Sequence, residues 1–431
     1  MQALEGYCGA STCGKEFVTA FLKNYLPSQH NVSFELLITG YQLATTVTVT
    51  VNKSTFQKMV SVNEKETVSV VVPASSEMRG SNVFDQTVQI QADKNVSVFS
   101  VNYKAVTSAA TVVYPVQELG TLYYVVTPAG NHTPHNFKEF AVVAHKSPTR
   151  VIIHLKGAVT FQGKVYPAGS KLVVDLKAFQ AIQLQSSVDL SGTKVESVAS
   201  VAVLSGHSCA MQFTTCDHVV EQLLPVTSWG TNFIVPTPLF LTKFDIVYVI
   251  ASQNTLIKYH SGTTQGSRQA KAGQVIQFKM QPSQPLYFTA NAGIQVLFFY
   301  TGVKNQNIMH ESFLINIPAF TSYCTSYRIG GIRRFANFAV VIAKTSVSSG
   351  IRLEKKVLTN TEWRPIPGTE YSFAQLSLGR NASAVSVEHP STPFGLLIFG
   401  VSPFIGIGST ALCSCAMRGN LPVQRWLRPQ R

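Results

Sequence analysis

The chain has 431 residues, 45% of them hydrophobic and only 13% charged, with a formal net charge of +14. A typical soluble protein is about 25% charged, and this apolar balance excludes a disordered chain, which is too poor in hydrophobic residues to bury a core. The length suits about two to four domains, the wealth of Val, Thr, Ser and Tyr favours strands, and the basic excess suits attraction to polyanions, with no nucleic-acid-binding motif beside it.

In chain order, "MQALEGYCGASTCGKEF" lacks a basic segment followed by an apolar one and does not read as a signal peptide. One pattern then recurs four times. The first copy, 14–114, opens with "GKEFVTAFLKN" and continues with "FELLITG" (34–40) and the alternating "TTVTVTV" (45–51), closing on "NVSVFSVNY" (95–103). Its "KEFVTAFLKNYL" (15–26) also has helical spacing through Phe17, Phe21 and Tyr25, but alignment with two clearly β openings predicts a strand. The second copy, 119–224, runs from "GTLYYVVTP" through "EFAVVAH" and "TRVIIHLKG" to "SVAVLSGHS" (200–208). The third, 229–317, runs from "GTNFIVPTP" through "FDIVYVIAS" to "GIQVLFFYTG" (293–302). The fourth, 323–413, runs from "TSYRIGG" through "NFAVVIAK" to "PFGLLIFGVS" (393–402), and 414–431 is a basic tail with Arg418, Arg425, Arg428 and Arg431. Short linkers holding Pro115, Pro225 and Pro318 precede the last three openings.

Period-2 alternation broken by Gly, Pro, Asn and Ser turns predicts an all-β fold of four tandem, related β-sandwich-like units, each roughly 90–110 residues long. A tandem array and packing around a shared centre both fit the pattern. The uncharged stretch 393–413 invites a membrane reading, but Gly and Pro interrupt it and its first half matches strands elsewhere, so no membrane span is expected.

The most chemically loaded stretch is "SGHSCAMQFTTCDHVVEQLLP" (205–225), with His207-x-Cys209 followed by Cys216-x-His218. It begins where the closing run of the second copy ends, which predicts a loop between units. Three readings compete. A zinc site could use all four residues, since i and i+2 share a strand face, although zinc modules present closer Cys pairs. A Cys/His nucleophile has Asp217 and Glu221 nearby, but Gly206-His207-Ser208-Cys209-Ala210 lacks the last glycine and the strand-to-helix setting of a nucleophile elbow. The plain reading is a Cys209–Cys216 disulfide, with both histidines ordinary loop residues. The other cysteines, Cys8, Cys13, Cys324, Cys413 and Cys415, show no CxxC spacing and leave their pairing open.

Elsewhere, "IGIGSTA" (405–411) has a dinucleotide-fingerprint outline but no helix or partner acid follows, so a loop or strand end is expected. No Walker, HExxH or EF-hand motif occurs, and the 21 acidic residues form no evident acid/base pair, so neither catalysis nor a cofactor is expected. Trp229, after a linker proline, reads as packing at a unit junction. Asn-x-Ser/Thr sequons mark Asn31, Asn52, Asn95, Asn131 and Asn381 as glycosylation candidates.

"AVLSGHSCAMQFTTCDHVVEQLLPVTSWGTNF", with "KEFVTAFLKNY", "ELGTLYYVVTP", "KEFAVVA", "FQGKVYPAG", "AIQLQSSVDLSGTKV" and "GIQVLFF", resembles the N-terminal region of the IgGFc-binding protein family, over roughly residues 14–415. The resemblance implies a secreted, glycosylated, non-catalytic module that binds the Fc part of immunoglobulin G in mucosal secretions, ahead of repeated von Willebrand type D domains. It also implies an oxidising setting in which a Cys209–Cys216 bond would stay closed. A secreted form would be expected to need a longer N-terminus than the one here, and residues 1–431 include no cysteine-rich D-type domain, so mucin-like polymerisation is not expected of them. The competing reading is a structural or adhesive module that binds mucin or other acidic glycoproteins without Fc specificity.

Overall fold

A computed structural model describes residues 11–25, 32–104, 107–130, 136–211, 216–239, 243–304, 309–330, 335–379, 384–402 and 405–414. The fold is all-β, built of antiparallel curled sheets, and the helical elements among the described residues are short 3-10 turns. "KEFVT" lies in a strand, Gly14–Thr19. Exposure alternates where a strand has one wet face, as along Thr45–Val51.

The strands fall into four successive quarters with one shared plan. In the first, the long strand Val88–Lys104 pairs through its first half with the opening strand Gly14–Thr19 and with Thr45–Val51. Its second half pairs with Val32–Gly40 and with the last strand of the quarter, Thr107–Val113. One strand thus crosses from layer to layer and curls the sheet over its own core. Lys194–Ala210 does the same in the second quarter and Leu286–Tyr300 in the third. The fourth quarter keeps the plan but cuts the long strand in two. Val385–Glu388 pairs with the opening strand Ser326–Ile329, and Gly395–Ser402 pairs with Ala336–Lys344. Pro390 and Pro393 lie in the gap, and proline cannot donate to a ladder, so the curled sheet becomes two separate five-stranded sheets.

The recurrent glycines and linker prolines belong to one device. After Pro115 and Pro225 the chain makes the 3-10 turns Val116–Glu118 and Val226–Ser228, folding back onto the opening strand of the same quarter. A Cβ on Gly120 would stand 2.5 Å from the Pro225 Cβ, and Gly14 meets Pro115 in the same way. In the third copy Ala319 takes the proline's place against Gly230.

The quarters close into a ring. The last strands, Thr107–Val113, Asp217–Gln222, Phe313–Asn316 and Ile405–Thr410, meet at the centre, each touching two neighbours so that the fourth returns to the first. The first three are buried along their whole length. Every neighbouring pair of quarters also shares an apolar core. Val18 and Ala109 join Ala141 and Leu204, Leu155 and Leu184 join Tyr248 and Phe299, Phe298 joins Phe373, and Phe99 and Val112 join Val341. Asn82–Phe84 of the first quarter further extends the second quarter's sheet at Ala181–Ser186. Of the two arrangements the sequence left open, the molecule adopts the shared centre.

The stretch 393–413 contains the paired strands Gly395–Ser402 and Ile405–Thr410, so "IGIGST" is a strand. Among the described residues, no helix is long and apolar enough to cross a membrane.

Candidate functional site

The His/Cys cluster sits on a hairpin inside the second quarter instead of a loop between units. His207 and Cys209 end the long strand Lys194–Ala210, and His218 lies near the start of Asp217–Gln222. The second half of the long strand, 201–210, and all of Asp217–Gln222 are buried on both faces, so they lack the alternation that marks a half-buried strand in sequence. Gly206 is required here, because any Cβ would run into the Val219 carbonyl across the hairpin.

Cys209 and Cys216 are bonded, with Cα atoms 5.1 Å apart. A bonded sulfur offers no thiolate to a metal or a substrate. Among the described residues, no group of three or more His, Cys, Asp or Glu could hold a metal ion. The histidines are not the ordinary loop residues that the sequence suggested, being only 1% and 0% exposed at His207 and His218. His207 Nδ1 accepts from the Cys209 N–H at 2.9 Å. His218 Nδ1 lies 3.2 Å from the His207 carbonyl and donates to it, leaving Nε2 to accept from Asn102 Nδ2 at 3.1 Å. Burial, with the nearby Lys138 charge, pushes His207 down to about 3, and burial pushes His218 to about 3 as well. Both rings are therefore neutral hydrogen-bonding parts of the core. Replacing Cys209 by Ser is expected to lower unfolding free energy by about 2–3 kcal/mol, the closure entropy of so short a loop. Denaturant titration of oxidised protein measures it.

The two carboxylates of the same hairpin reach furthest. Asp217 Oδ1 accepts from the Ser108 N–H at 2.6 Å and the His218 N–H at 2.8 Å, and Oδ2 accepts from the Gly406 N–H at 3.1 Å. One side chain of the second quarter thus satisfies the backbone of the first and the fourth. Glu221 accepts from the Thr111 hydroxyl at 2.8 Å and the Asn316 N–H at 3.2 Å, tying the first quarter to the third. Ser312 donates to the Ala210 carbonyl at 3.0 Å, and Thr410 donates to the Asn316 carbonyl. Burial pushes Glu221 up to about 8 and raises Asp217 well above the ordinary carboxylate range, where the neighbouring Glu311 adds to the effect. In the sequence Asp217 and Glu221 stand out only as neighbours of a possible nucleophile. A carboxylate within an otherwise fully buried run was the available signal of their junction role.

Next to the centre, a second buried network fastens the first quarter to the second. Lys104, 1% exposed, donates to Glu77 at 2.9 Å, and Asn24 donates to Asn102, which in turn meets His218. Cys324 and Cys413, 89 positions apart in sequence, form a further disulfide with Cα atoms at 5.9 Å. Cys13 is also disulfide-bonded, and its carbonyl accepts from Gln117 Nε2 at 2.9 Å. Trp229 donates to the Leu224 carbonyl at 3.0 Å and lies against Tyr124, between the second and third quarters. Two cavities lie at the fourth quarter. One of about 10 Å³ is lined by Phe338, Phe399 and Ile407, and one of about 30 Å³ by Tyr114, Asn316 and Thr410. Each has room for no more than a water or two.

Of the sequons, Asn31, Asn131 and Asn381 lie outside the described residues. Asn95 is half-buried on the first long strand. Asn52 uses its amide between quarters, Nδ2 donating to the Asp85 carbonyl at 2.8 Å and the Phe179 carbonyl at 3.1 Å. A glycan on that nitrogen would remove one of these bonds. Asn52 is therefore expected to be unmodified when the chain is expressed behind a supplied signal peptide. Peptide mass mapping after enzymatic deglycosylation, which converts a glycosylated Asn to Asp, checks this.

Fold and junction together define a disulfide-braced, closed all-β scaffold whose most reactive side chains are spent on holding it shut. A family model described as IgGFc binding protein matches residues 109–400. A human protein named IgGFc-binding protein is 42% identical over 405 residues, a match that takes in 94% of this chain and 8% of that protein. The chain belongs to the IgGFc-binding protein family. A solved structure of a mycobacterial arabinofuranosyltransferase, 10% identical and covered over 34% of its length by 95% of this chain, overlaps with a TM-score of 0.14, too low to bear on the fold.

Proposed function

We propose that this chain is a non-catalytic extracellular recognition module that binds the Fc region of immunoglobulin G in mucosal secretions. The observation that carries this reading is the 42% identity to a human IgGFc-binding protein across 94% of this chain. The disulfides Cys209–Cys216 and Cys324–Cys413 support it, since such bonds persist in oxidising, extracellular settings. So does the closed ring, because a rigid scaffold loses little freedom on binding.

The test is surface plasmon resonance of the purified 431-residue chain over immobilised Fc and Fab fragments, at about 0.05 and 0.5 M salt. Saturable binding to Fc and not Fab, kept largely at high salt, is expected of a packed protein interface. The +14 charge favours a second reading, adhesion to mucin or other acidic glycoproteins. Absence of Fc binding, with salt-sensitive retention on mucin, would replace the first reading by the second.

A further inference from the structure

The positive charge is unevenly spread. Residues 14–114 hold eight Lys and Arg against seven Asp and Glu, close to balance. Residues 229–317 hold Lys243, Lys258, Arg268, Lys271, Lys279 and Lys304 against Asp245 and Glu311 alone. Those two carboxyls are 0% and 6% exposed, Asp245 lying under the Thr301 N–H at 2.8 Å. Lys258, Arg268 and Lys271 are exposed, so this part of the third quarter's surface carries cations with no exposed carboxylate of the same quarter beside them. Some exposed cations of the other quarters are paired, as in Arg150–Asp175, Lys194–Glu196, Lys344–Glu370 and Arg364–Glu362, while Lys164, Lys171 and Lys177 of the second quarter are exposed without an ion pair among the described residues. Among the described residues, no carboxylate pairs with Lys258, Arg268 or Lys271.

We propose that the edge hairpin Thr255–Ser261/Thr264–Ala270 of the third quarter is a docking surface for a sulfated glycan chain. Thr264–Ala270 ends its sheet and is hydrogen-bonded on one side only, so its other edge faces solvent. Along it, Thr264, Gln265, Ser267 and Gln269 are exposed, a row of hydroxyl and amide donors. Lys258 stands opposite Ser267 and Arg268 opposite Ile257, so the two cations flank the edge from its two faces, with Lys271 in the following turn. A polyhydroxylated chain with regularly spaced sulfates asks for this mixture of cations and neutral donors. Single-stranded nucleic acid instead asks for free aromatic faces. The rings here are engaged, Tyr259 edge-on to Phe278 at 5.0 Å and Tyr287 stacked on Phe320 at 6.1 Å.

This surface does not rest on the immunoglobulin reading, and the test separates the two. The full chain is titrated against dextran sulfate, unsulfated dextran and a single-stranded oligonucleotide of matched charge, with Fc binding measured in parallel. The variant K258Q/R268Q/K271Q is compared with K164Q/K171Q/K177Q, which removes the same charge from exposed positions of the second quarter. Dextran sulfate is expected to bind, dextran not to bind, and the first variant to weaken affinity about tenfold or more, with the control within about threefold. Fc binding and melting temperature are expected to match the parent in both variants. No binding of dextran sulfate by the parent, or equal losses in the two variants, would overturn the assignment. Tighter binding of the oligonucleotide, with the same sensitivity to the first variant, would assign the surface to nucleic acid instead.

Discussion

Asp217→Ala is expected to remove about 3–6 kcal/mol of stability, because it strands the buried N–H groups of Ser108, His218 and Gly406 at about 1–3 kcal/mol each. Two of those groups belong to other quarters, so the loss is expected to fall on the ring and not on the hairpin alone. Asp217→Asn retains one acceptor oxygen and turns an amide toward another donor, so it is expected to lose roughly half as much. Guanidinium unfolding with linear extrapolation measures both variants. If the alanine variant does not fold, the asparagine variant still reports the effect, and a loss below about 0.5 kcal/mol there would remove Asp217 from the junction.

Stability is expected to fall as pH rises from about 6.5 to 8. Burial raises Glu221 and Asp245 to about 8, against about 4.3 and 3.9 in an unfolded chain. Between those values the folded state holds protons that the unfolded state releases. The stabilisation is therefore fully present below about pH 4 and is lost as pH climbs toward 8, at up to about 1.4 kcal/mol per pH unit per group. Buried Glu139 and Asp217 act in the same direction. His207 and His218, depressed to about 3, have the opposite sign. Their stabilisation is present above about pH 6.5 and is lost as pH falls toward 3, so they contribute little slope between 6.5 and 8. Denaturant midpoints at pH 6.5, 7.2 and 8 are expected to descend, and Glu221→Gln with Asp245→Asn to flatten the descent. A flat or rising profile in the parent would mean that these carboxylates are solvated.

The fold was legible where a rule of local chemistry acts. Alternation in "TTVTVTV" marks a strand with one wet face, and the recurring opening glycine and linker proline mark a turn in which the two residues touch. The ring was not legible, because Asp217, Glu221, Thr111, Asn316 and Gly406 meet only after closure and carry no spacing rule. The break in the fourth long strand is foreshadowed by Pro390 and Pro393 but becomes meaningful only beside the unbroken copies. At the candidate site the residue types were visible and their role was not. Histidines flanking cysteines at i±2 suit a ligand set as well as a packed hairpin, and burial on both faces decides between them. Cys324 and Cys413 are too far apart in sequence for spacing to pair them.

Differential scanning calorimetry of the intact chain most directly tests whether the four repeats are one body closed around Asp217 and Glu221. Neighbouring quarters share apolar cores and the centre satisfies backbone groups across them, so a single transition is expected, with equal calorimetric and van't Hoff enthalpies. Two or more separable transitions, unmoved by Asp217→Asn, would contradict the closed ring.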